Sequence, residues 1–62
     1  MNAPEVKTKV EGFIKAGLVK EEYGRAYIDA IEYCYEPSAY DYMTEDELLS
    51  DVQEFAQICK EE

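Results

Sequence analysis

The sequence predicts an all-α protein, a small three-helix up-down-up bundle. Three observations lead there: three stretches carry apolar residues at helical spacing, glycine and proline mark short joints between them, and strand alternation is absent outside Tyr33 to Tyr35. Short joints make neighbouring helices antiparallel, which gives the up-down-up order.

The first helix is predicted over about residues 4–16. Asn2 is a competent N-cap with Pro4 inside the first turn, and Val6, Val10, Phe13 and Ile14 share one face. Gly17 supplies a left-handed stop, with Leu18 expected to fold back over the last turn. Gly12 costs an interior helix about 1 kcal/mol against alanine, so it is expected to mark the close approach of another backbone.

The second helix, about residues 20–35, places Glu21 and Glu22 at its positive end. It repeats Tyr23, Ala26, Tyr27, Ala30, Ile31 and Cys34 at steps of three and four. Pro37 ends it, and Glu36 to Met43 reads as a loop with Met43 covering the core. Thr44 opens the third helix, about residues 45–60, by forming a capping box with Glu47, ahead of a stripe of Leu48, Val52, Phe55, Ala56 and Cys59.

Sixty-two residues make a single domain, 1–62, that buries only about 60% of its unfolded surface. The usual staples of such small folds are missing, so helix packing must suffice or a homodimer must add burial. The apolar runs are too short for a membrane span of about 20 residues, and no basic and apolar leader opens the chain, so its expected place is the cytoplasm. Cys34 and Cys59 fall at opposite ends of antiparallel helices and read as reduced core residues, since a disulfide requires Cα atoms within about 7 Å.

Composition argues against catalysis. There is no histidine to serve as a base or activate a thiol. Gly12, Gly17 and Gly24 match no phosphate-binding loop, and a bundle of this size is not expected to hold a cleft of about 300 Å³ in which a carboxyl could be desolvated. Asp41 to Glu47 lacks the central glycine and alternating ligands of a calcium loop, and two cysteines supply half a zinc site. No metal or cofactor is expected.

Charge is the distinguishing feature. The net charge is −9, from 15 acidic and 6 basic residues, which argues against direct binding of nucleic acid or an anionic membrane. Residues 1–20 hold four lysines against Glu5 and Glu11, a balance of +2, leaving −11 for residues 21–62. Helical neighbours through Asp29 alternate in sign: Lys7 with Glu11, Glu11 with Lys15, Glu21 with Arg25, and Arg25 with Asp29. Beyond it they are alike: Asp29 with Glu32, Glu32 with Glu36, Glu47 with Asp51, and Asp51 with Glu54. Four such pairs cost about 1 to 2 kcal/mol in a domain worth about 3 to 5.

Repulsion retained on this scale points to a contact face for a basic surface on another protein, steering association over distance. Its carboxylates would be Asp29, Glu32, Glu36, Asp41, Glu47, Asp51 and Glu54. Tyr33, Tyr35, Tyr40 and Tyr42 would add contact area, while Tyr23 and Tyr27 share the phase of the core. Against this stands a solvated acidic surface with tyrosines closing the open end of the bundle.

A basic surface that attracts carboxylates ordinarily attracts phosphates. The expected function is therefore a protein-binding inhibitor that occupies a partner's nucleic-acid-binding surface. In size and charge, though in no shared motif, the chain resembles phage and mobile-element inhibitors of host nucleic-acid machinery, anti-CRISPR and anti-restriction proteins among them. The alternative is a small structural or adaptor subunit, docked through apolar surface with its acidic face to solvent.

Overall fold

A computed structural model of the chain describes residues 1–34 and 36–61, with the backbone alone at Pro37. It is all-α: α1 spans Ala3–Lys15, α2 Glu21–Cys34, α3 Pro37–Tyr40 and α4 Glu45–Glu61. The described bounds of the three long helices lie within one residue of the expected 4–16, 20–35 and 45–60, the expected end of the second helix at Tyr35 falling outside the described residues. Each long helix packs against the other two in a bundle measuring 27 × 23 × 16 Å. No helix among the described residues is long and apolar enough to cross a membrane.

Local chemistry sets the helix ends. The Asn2 Oδ1 accepts the Glu5 backbone N–H at 2.9 Å, filling one of the four donors that a helix start leaves open. Gly17 adopts φ 76°, and the Gly17 and Leu18 N–H groups return to the carbonyls of Ile14 and Phe13, a paired left-handed termination. At the start of α4 the Thr44 hydroxyl accepts the Glu47 backbone N–H and donates to Glu47 Oε1, both at 3.2 Å. The box therefore closes through the hydroxyl itself.

The core is Val6, Val10 and Phe13 of α1, Val19 of the joint, Tyr27, Ile28 and Ile31 of α2, and Leu48 and Val52 of α4. It corrects the sequence reading in five places. α2 is rotated, so that Gly24 and Ile28 are buried while Ala30 and Cys34 face solvent. Cys34, expected in the core, is thus an exposed free thiol, and Cys59 is half-buried. Val19 is the residue that enters the core after α1, leaving Leu18 47% exposed. Within the expected loop, Pro37–Tyr40 winds into one helical turn, begun by a proline whose fixed φ suits a helix start.

The fifth correction concerns glycine. A side chain on Gly12 would meet nothing within 4 Å, whereas a Cβ on Gly24 would lie 2.5 Å from both Cγ1 and Cδ1 of Ile14. The close approach of α1 to α2 is therefore at Gly24.

Charge pairing runs between helices, not along them. Lys7 of α1 meets Glu32 of α2 at 3.1 Å, Arg25 of α2 meets Glu11 of α1 at 3.2 Å, and Lys9 of α1 meets Glu45 of α4 at 3.7 Å. None of the neighbour pairs expected within a helix forms an ion pair among the described residues. The positive surplus of the first 20 residues is partly spent on the acidic remainder, across the α1 interfaces.

Candidate functional site

α4 has 17 residues, against 13 in α1 and 14 in α2, which makes it about 4 to 6 Å longer than either. Its early apolar residues, Leu48 and Val52, are wholly buried, Phe55 is half-buried, and Ile58 is 55% exposed. The bundle runs out before the helix does. The resulting open groove, about 170 Å³, is lined by Tyr27, Asp51, Glu54, Phe55 and Ile58. The four α4 residues fall at steps of three and four, which puts them on one face of the helix.

Tyr27 forms the inner wall. Its ring meets Phe55 edge to face, with centroids 5.3 Å apart and planes at 81°, an arrangement that sets the positive ring edge against the negative face. Its hydroxyl donates to Asp51 Oδ2 at 2.6 Å and lies 2.8 Å from the Tyr40 hydroxyl. A phenol has one proton to donate, so with that proton directed at Asp51 the second bond is a donation from Tyr40 to Tyr27. The chain Tyr40–Tyr27–Asp51 thus carries hydrogen bonds from α3 through α2 to α4. Burial first, then the bonds to Asp51 and Tyr40, push the Tyr27 phenol well above the ordinary tyrosine range. At the far side the Met1 ammonium donates to the Tyr40 carbonyl at 2.6 Å, tying the start of the chain to α3.

The residues expected to form one contact face fall into separate groups. Tyr27 and Glu32 lie five positions apart on α2, about 140° round its axis at 3.6 residues per turn. Tyr27 faces α4, while Glu32 faces α1 and is taken by Lys7. Asp29 and Tyr33 lie on the outer side of α2, with Tyr33 87% exposed, and Glu36 is exposed beyond the helix end. Tyr42 is 95% exposed beside the exposed Asp41 in the turn before α4. Glu47 is engaged by Thr44, and Tyr40, expected at a contact surface, is half-buried in the hydrogen-bonded chain. Tyr35 lies outside the described residues.

Asp51 and Glu54 are the two expected residues that the groove brings together, and neither has a basic partner among the described residues. Sequence reasoning placed Tyr27 and Phe55 in the core and did not single out Ile58. The available signal was its spacing: Ile58 stands seven residues after Asp51 and four after Glu54, on the same helical face. Among the described residues no three acidic or thiol side chains converge to hold a metal ion. A carboxylate pair over an apolar, aromatic floor is suited to a cation with an apolar stem. No protein-family model, curated protein or solved structure matches the chain.

Proposed function

We propose that this protein is a non-enzymatic, protein-binding inhibitor that lays its acidic surface on a basic, nucleic-acid-binding surface of a partner in the cytoplasm. The observation that carries the reading is the distribution of ion pairs. Lys7, Lys9 and Arg25 are held in pairs between helices and Lys15, Lys20 and Lys60 are in none, while Asp29, Glu36, Asp41, Asp51 and Glu54 have no ion-pair partner among the described residues. Cations from another molecule would neutralise what the chain's own cations leave bare, and long-range attraction would speed the encounter. Exposed Tyr33 and Tyr42 offer rigid contact area beside these carboxylates.

Capture from a cell lysate tests this. The captured protein should bind nucleic acid, nucleic acid should displace it, and capture should fall as salt approaches roughly 0.5 M, where the screening length is about 4 Å. Reversing Asp51 and Glu54 to lysine should abolish capture. The second reading, an adaptor docked through apolar surface, draws on exposed Leu18 and Ile58, 47% and 55% accessible. Capture that survives both high salt and charge reversal would favour it.

A further inference from the structure

We infer that the groove between Tyr27 and α4 receives a single arginine side chain of the partner, an inference that rests on reading the acidic surface as an interface. Its volume, about 170 Å³, lies below the range of about 300 to 1,000 Å³ typical of small-molecule sites and matches one long side chain. The floor and rim present two chemistries at once: the half-buried Phe55 and the exposed Ile58 are apolar, and Asp51 and Glu54 are anionic. A residue with a hydrocarbon stem and a cationic head satisfies both.

Arginine fits better than lysine on two counts. Asp51 and Glu54 are three residues apart, so their carboxylates are helical neighbours, and a planar guanidinium with five donors can bond both where an ammonium acts as a point charge. The guanidinium is also the more weakly hydrated cation and stacks on aromatic rings, here Phe55. Asp51 keeps Oδ1 for the incoming group because Tyr27 bonds Oδ2. That bond also fixes the carboxylate before the arginine arrives.

The test is an amide chemical-shift titration of the ¹⁵N-labelled full chain with N-acetyl-arginine amide in the millimolar range, with ionic strength matched throughout. The neutral N-acetyl-citrulline amide and the lysine analogue serve as parallel probes. Saturable shifts centred on Tyr27, Asp51, Glu54, Phe55 and Ile58 are expected for arginine, with citrulline not saturating and Glu54→Gln weakening arginine about three- to fivefold. Absence of saturation, equal response to citrulline, lysine binding as tight as arginine, or shifts spread equally over Asp29 and Glu36 would each overturn the inference. Glu54 is exposed and its side chain makes no hydrogen bond among the described residues, so the variant tests binding without disturbing the core. Lysate capture with the same variant separates the two readings. No arginine saturation with capture intact overturns the groove inference alone, as does saturation with capture unchanged by Glu54→Gln; capture that survives high salt overturns the acidic interface itself.

Discussion

Replacing Tyr27 by phenylalanine isolates the hydroxyl that links three helices. The ring, its burial and its edge contact with Phe55 remain, while the 2.6 Å bond to Asp51 and the 2.8 Å bond to Tyr40 are lost. A hydrogen bond to a charged acceptor contributes about 1.5 to 3 kcal/mol, and the lower end applies because water reaches the exposed Asp51. A loss of about 1.5 kcal/mol lowers Tm by about 6 to 12 °C in a domain of this length. The pH dependence is the sharper readout. The unfolded phenol ionises at 10.0 and the folded one higher, so Tyr27's contribution is fully present below pH 10 and is lost as pH rises towards the folded value.

Above pH 10 that loss is about 1.4 kcal/mol per pH unit. The stability gap between the wild type and Tyr27→Phe, about 1.5 kcal/mol at pH 8, should therefore nearly close by about pH 11. Urea unfolding of both proteins at the two pH values measures it, and titrating groups that do not touch the Tyr27 hydroxyl cancel in the difference. A gap of the same size at pH 8 and pH 11 would refute the assignment of the raised phenol to Tyr27.

The glycines give predictions of opposite sign. Gly24→Ala forces a Cβ to within 2.5 Å of two Ile14 atoms and should cost about 1 to 3 kcal/mol, whereas Gly12→Ala enters open space and should stabilise by about 0.5 to 1 kcal/mol in the same melt. Leu48→Ala removes a wholly buried side chain, a loss of about 3 to 5 kcal/mol; circular dichroism at 25 °C should show largely unfolded chain, and native helicity there would contradict the packing. Thr44→Ala deletes both bonds at the start of α4 and should lower stability by about 1 kcal/mol, read as hydrogen exchange quickening first at Glu47 and Leu48.

Helix ends were legible in the sequence because their chemistry is local. Asn2, Gly17 and Thr44 each find their partners within a few residues, so spacing alone locates them. The rotation of each helix about its axis was not, since Ala30 and Ile28 differ by two positions and only packing against α1 and α4 decides which is covered. Charge pairing inherits that rotation: Lys7 and Glu32 stand 25 residues apart, and no count along one helix finds them. The turn Pro37–Tyr40 is too short to hold by propensity and is braced from outside, by the Tyr27 hydroxyl and the Met1 ammonium. Half of the groove was visible as the carboxylates Asp51 and Glu54; the other half depends on α4 outrunning its neighbours.

Pairing across helices also changes where repulsion remains. Of the four like-charge neighbours, the two involving Glu32 are relieved, because Lys7 holds Glu32 and α2 ends at Cys34, before Glu36. The pairs Glu47 with Asp51 and Asp51 with Glu54 are both on α4, and the second lines the groove. Glu54→Gln should therefore stabilise the free protein by about 0.2 to 0.5 kcal/mol, a rise in Tm of about 1 to 4 °C. Glu32→Gln should instead destabilise by up to about 1 kcal/mol, since it strands Lys7 on a half-exposed surface. Calorimetry at low salt compares the two, and both differences should shrink at high salt. If Glu54→Gln lowered Tm, the groove carboxylates would be contributing to the fold, and the case for holding them ready for an external cation would fail. A rise, together with weaker partner capture, is the pattern expected where a repulsion is relieved by binding.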